Sequence, residues 1–154
     1  MNKLYLFLDF DGVMHPQPYD GNAFCQKSLI EDVLREFQTV QIVISSSWRE
    51  HYALMSLKRM FSEDISPRVI DATKFYRNPA LDHLSNPATD FERQWKIELW
   101  MRENASVDAM WIAIDDYPAW FEPDCTNLLV TSPATGFIEN DKQILRDMIR
   151  VRLL

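Results

Sequence analysis

The residues of this chain best suited to chemistry are two pairs of carboxylates. Asp9 and Asp11 stand on either side of Phe10 in Leu-Asp-Phe-Asp-Gly, and Asp115 and Asp116 adjoin in Ala-Ile-Asp-Asp-Tyr. Each pair follows a short, mostly apolar run that begins at Leu4 in one case and Met110 in the other. An ionised carboxylate at the end of a buried segment is costly unless it is paired or bound to a metal. Adjacent like charges also raise one another's pKa unless a cation is present. Taken singly, Asp-x-Asp-Gly or Asp-Asp before Pro118 is an ordinary turn. Four carboxylates at neighbouring strand ends need a counter-ion, and ligands that are all oxygen favour a hard cation, with Mg²⁺ the expected one.

Groups that would hold an anion come from two other places. Ser45, Ser46 and Ser47 end an apolar run and precede Trp48. Ser47 with Glu50 three residues on reads as a capping box, which assigns Ser47 to the start of a helix. Ser45 and Ser46 then lie beside free N–H groups that suit a phosphate, with Ser46 the favoured contact. The plain alternative is that these serines only end a strand and start a helix. A later helix opens with Arg93 and Lys96, after a second capping-box pattern from Thr89 to Glu92. Arg93 lies one turn before Ile97 on the face that continues through Trp100 and Met101, whereas Lys96 is turned to the side. A cation at the inward start of a helix opposes the helix dipole unless an anion is near, so Arg93 is the favoured anion contact and Lys96 the alternative.

These residues need a frame that brings strand ends together. Continuous apolar runs predict strands over 4–9, 40–45, 110–115 and 127–131, with a weaker one over 67–71. Helical spacing predicts helices over 23–38, 48–61, 90–104 and 142–150, the last with Ile144, Leu145, Met148 and Ile149 inward. Alternating strands and helices predict an α/β fold, a doubly wound parallel sheet of about five strands, with its ligand site beyond the strands' carboxyl ends. The 154 residues fit one domain over 1–154, and 47% hydrophobic content against 25% charged predicts a globular chain. No run is long enough to span a membrane and the start is no signal peptide, so a soluble, cytoplasmic protein is expected. A net charge of -7 and a pI near 4.9 argue against a broad basic surface for duplex nucleic acid. Cys25 and Cys125 match no metal or redox spacing and are expected as free thiols.

Asp9-Phe10-Asp11-Gly12, a serine at the end of the second strand, a basic residue opening a later helix and Asp115-Asp116 resemble, in order, the motifs of the haloacid dehalogenase-like (HAD) superfamily. Within it, LFLDFDGVMHP, SSWRE, the Arg93 to Ile97 helix start with Trp100, AIDDY and Thr135-Gly136-Phe137 are similar to the HAD domain of Swiss Army Knife RNA repair proteins. Lys96 departs from that pattern, where an acidic residue is expected. The resemblance implies a Rossmann-like sheet with a small turn-and-flap element after Asp11, and the spacing leaves no room for a large cap domain. It further implies Asp9 as nucleophile, Asp11 as general acid and base, and Ser46 or Ser45 with Arg93 or Lys96 as phosphate contacts. Mg²⁺ would be held by Asp9, the Asp11 backbone carbonyl and Asp115, with Asp116 nearby. The implied activity is phosphomonoester hydrolysis through an aspartyl-phosphate, on a phosphorylated substrate such as a nucleotide or RNA end. The alternatives are a small-metabolite or phosphoprotein phosphatase, or a non-catalytic interaction module of the same fold. His15, Trp48, Arg49, Tyr117 and Trp120 follow the motifs and are candidates to line the entrance, though such aromatics are more often core.

Overall fold

The computed structural model describes residues 2–74 and 91–154. Five strands, β1 (Leu4–Leu8), β2 (Gln41–Ile44), β3 (Val69–Ala72), β4 (Met110–Asp115) and β5 (Leu128–Val130), form one all-parallel sheet in the order β3-β2-β1-β4-β5. Among the described residues four α-helices accompany them: α1 (Lys27–Glu36), α2 (Leu54–Lys58), α3 (Glu92–Asn104) and α4 (Glu139–Leu153).

β1 is central and buried at every residue, which is why its sequence is apolar throughout instead of alternating. Its side chains divide between the two faces of the sheet. Leu4, Leu6 and Leu8 pack with Ile30, Val33 and Leu34 of α1 and with Leu145 and Ile149 of α4. Tyr5 and Phe7 face Ile97 and Trp100 of α3, and Trp100 meets both rings edge-on at 5.1 and 5.5 Å. Both layers are thus anchored on one strand, and residues just past its end inherit a rigid mount.

Several boundaries differ from the sequence reading for identifiable reasons. The helix expected over 48–61 divides into a 3-10 turn, Ser47–Glu50, and the short α2. Trp48 leaves the helical stripe because its ring packs among Phe10, Phe24 and Tyr52 and its indole reaches Asp11. Ser46, not Ser47, caps that turn: its backbone is still extended and its hydroxyl accepts the Trp48 N–H at 3.2 Å. In α4, Leu145 and Ile149 are buried but Ile144 is half exposed, correcting its inward assignment. The Thr89 cap expected for α3 lies outside the described residues. Cys25 and Cys125 are free thiols. Among the described residues no helix is long and apolar enough to cross a membrane.

The chain runs outward from β1 to β3, then returns to the other side of β1 with β4. The crevice of such a sheet lies where the order reverses, between the carboxyl ends of β1 and β4. Leu8 is in register with Ile44 on one side and Ile114 on the other, so the next residues, Ser45, Asp9 and Asp115, form a row across that edge.

Candidate active site

Three of the four sequence-selected carboxylates converge at this edge. Asp9, Asp115 and Asp116 each present an oxygen, all within 4.8 Å of one another. Asp9 is fixed by its own N–H, which donates to the Ile114 carbonyl at 3.1 Å, and Asp115 accepts the Tyr117 N–H at 2.9 Å. Gly12 makes room for the fourth strand's acids: its φ is +72°, and a side chain there would collide with the Asp116 carboxylate.

Arg93 bridges the cluster from the first turn of α3. Its Nη1 lies 3.1 Å from Asp9 Oδ1 and 2.8 Å from Asp115 Oδ2, and its guanidinium sits 4.6 Å over the Trp120 ring. The unfavourable placement of a cation at a helix start is thereby offset by two anions. Burial works against the Arg93 charge, but Asp115 and Asp9 overcome it and hold the guanidinium above its ordinary range.

One guanidinium does not neutralise three carboxylates. Asp9 is pushed up to about 7, first by burial and then by Asp115, with Arg93 opposing. Burial likewise raises Asp115, and Asp116 is pushed up to about 6 by burial and then by Asp9. A buried set of oxygen donors short of positive charge suits a hard divalent cation, so the residues present fit Mg²⁺.

Asp11 is held differently. The His15 Nδ1 faces the Phe24 N–H at 3.3 Å, and since that group can only donate, Nδ1 accepts and the ring proton is on Nε2. Nε2–H then donates to Asp11 Oδ1 at 2.8 Å, and the Trp48 indole donates to the same oxygen at 3.1 Å. Among the described residues no protein donor reaches Asp11 Oδ2. His15 is fully buried, so it supports the site from behind and does not form its entrance, while Trp48 is half-buried with its indole turned to Asp11.

Ser45 and Ser46 are both buried at the end of β2, with the Ser46 hydroxyl engaged in capping. Ser47 is exposed and lines the open cavity, of about 210 Å³, that also contains Asp9, Asp11, Arg93, Asp116, Tyr117 and Trp120. Assigning Ser47 to the cap from sequence obscured that exposure. A second cavity, of about 200 Å³, shares Ser47, Arg93 and Trp120 with the first and adds Arg49, Lys96 and two glutamates. Lys96 is not turned out to solvent: it is 8% exposed and pairs with Glu92 at 2.6 Å. Tyr117, Trp120 and Arg49 thus do line the openings, as the sequence suggested, whereas the Asp11–His15 contact depends on the fold around Phe24 and had no local signal.

A parallel sheet of this order with paired acids beyond β1 and β4 defines a Rossmann-like fold of the HAD type. The model of the family described as "HAD domain in Swiss Army Knife RNA repair proteins" matches residues 5–142, and the chain belongs to that family. No curated protein and no solved structure matches significantly.

Proposed function

We propose that this protein is a Mg²⁺-dependent phosphomonoester hydrolase that works through an aspartyl-phosphate on Asp9. The observation that carries the reading is the gathering of Asp9, Asp115, Asp116 and Arg93 beside Asp11 at the β1–β4 crevice. Membership of a HAD family supports the phosphatase class.

Asp9 supplies the carboxylate oxygen that attacks phosphorus, forming an acyl phosphate as the bond to the leaving oxygen breaks. Asp11 gives its proton to that oxygen, then takes one from the water that attacks the acyl phosphate and frees Asp9. With Oδ1 held by His15 and Trp48, Oδ2 is the oxygen available for both transfers. Arg93 balances charge on the equatorial oxygens of the transferring group, assisted by Ser45, Ser46 and Lys96. When bound by Asp9, the Asp11 carbonyl, Asp115 and Asp116, Mg²⁺ supplies the positive charge that lets the phosphoryl group approach these carboxylates.

The family description supports a nucleotide or RNA end as the substrate. The net charge of -7 favours the second reading, a phosphatase for small metabolites or phosphoproteins. Phosphate release from oligonucleotides phosphorylated at the 3′ or 5′ end, compared with free nucleotides, sugar phosphates and a phosphopeptide, separates them. Higher kcat/KM on the oligonucleotides is expected, and equal rates on all classes would remove the RNA-end reading.

A further inference from the structure

Arg49 is the charged group whose surroundings the catalytic scheme leaves unexplained. Its Nη1 donates to the Ser45 carbonyl at 3.1 Å and the Ser46 carbonyl at 2.6 Å, which fixes the guanidinium against the end of β2. Its Nε is buried and has no hydrogen-bond partner. Among the described residues no carboxylate forms a direct ion pair with it, and burial and then Arg93 draw its pKa down to about 10 against the opposing Glu50, Asp9 and Glu92. A half-buried cation that no carboxylate pairs directly is an arrangement that a bound anion would stabilise.

The cavity beside Arg49 is where such an anion would lie. It continues from the proposed catalytic cavity across Ser47, Arg93 and Trp120. Three cations, Arg49, Arg93 and Lys96, line it against Glu50 and Glu92. Glu92 is engaged by Lys96, and Glu50 is exposed and weakened by solvent. Arg93 is paired directly with Asp9 and Asp115 and Lys96 with Glu92, whereas Arg49 is held by two backbone carbonyls and, among the described residues, by no direct ion pair.

From this we infer that the Arg49 cavity is a second phosphate subsite, for a phosphate carried by the same substrate molecule next to the one that is hydrolysed. The inference rests on the reading of the Asp9 crevice as a phosphatase centre. The fork of a guanidinium suits a tetrahedral oxyanion, and the two cavities share Ser47, Arg93 and Trp120 in their linings, which puts them within reach of one molecule. The second phosphate is either the adjoining phosphodiester of an oligonucleotide or a second terminal phosphate on a nucleoside.

The test compares kcat/KM for three substrates: a nucleoside monophosphate, a nucleoside 3′,5′-bisphosphate and an end-phosphorylated dinucleotide. Wild type, Arg49→Met and Arg49→Lys are measured with an aryl phosphate as reference. Wild type is expected to prefer a two-phosphate substrate by about tenfold to a hundredfold, the worth of one charge-assisted hydrogen bond. Arg49→Met should collapse that ratio toward one, and Arg49→Lys should restore part of it. Preference for the dinucleotide or for the bisphosphate identifies which source of phosphate the subsite takes. Binding of the same ligands to the Asp9→Asn variant, by calorimetry, reads the subsite without turnover and so separates its failure from failure of the phosphatase reading. A wild type indifferent to the second phosphate, or an Arg49→Met variant that loses the same factor on every substrate, would overturn the inference.

Discussion

Crowding of carboxylates around Arg93 makes Asp116→Asn a stabilising substitution in the absence of metal. Asp116 is pushed from 3.8 up to about 6 by burial and by Asp9. A shift of about two units corresponds to ~3 kcal/mol if the group were fully buried. Asp116 is only half-buried, and screening by solvent reduces this to about 1–2 kcal/mol. The sign follows from the protons bound. The folded state holds a proton that the unfolded state releases near pH 3.8, so the penalty is absent in acid and complete above the folded pKa of about 6. Thermal unfolding with chelator near pH 8 should therefore show the variant more stable by a few degrees, a gain that shrinks steadily as pH falls toward about 4. Adding Mg²⁺ should raise the wild-type midpoint more than that of the variant, because the variant loses one of the oxygens proposed to hold the cation. A variant no more stable than wild type without metal, or a gain independent of pH, would refute the picture of uncompensated charge at the β1–β4 crevice.

Two further substitutions address the roles assigned to single side chains. Trp48→Phe keeps the ring but removes an N–H from Asp11 Oδ1; turnover of an alkyl phosphate should fall roughly tenfold, and that of an aryl phosphate with a good leaving group by less. Equal losses on both substrates would mean that the indole serves only packing. Arg93→Met should lower kcat/KM for the aryl phosphate by about a hundredfold or more, and Lys96→Met by much less, since only Arg93 touches Asp9 and Asp115. Comparable losses in steady-state assays of the two variants would count against the division of labour between them.

The parallel sheet was legible because burial on both faces leaves a plain mark: uninterrupted apolar residues at Leu4 to Leu8 and Ile112 to Ile114. The carboxylate pairs were legible for a related reason, since a charge directly after such a run has little room to be accidental. Arg93 followed from helical geometry, which placed it on the face of Ile97 and Trp100 that the structure buries. The same geometry failed for Lys96, which is also buried, because α3 is covered on more than one side and lies over the cavity shared with Arg49. Ser47 was misjudged because a capping box fits any Ser-x-x-Glu, while the cap is decided by which residue still has extended backbone, here Ser46. His15 was least legible: its hydrogen bond to Asp11 depends on a contact with Phe24 nine residues away, and no local pattern encodes it.

The most direct measurement is hydrolysis of a generic aryl phosphate by wild type and Asp9→Asn, each with Mg²⁺ and with chelator. Wild type is expected to release phosphate with Mg²⁺ and to lose that activity both on chelation and on removal of the Asp9 carboxylate. Activity that survives Asp9→Asn would contradict Asp9 as the nucleophile, and with it the chemistry assigned to the β1–β4 crevice.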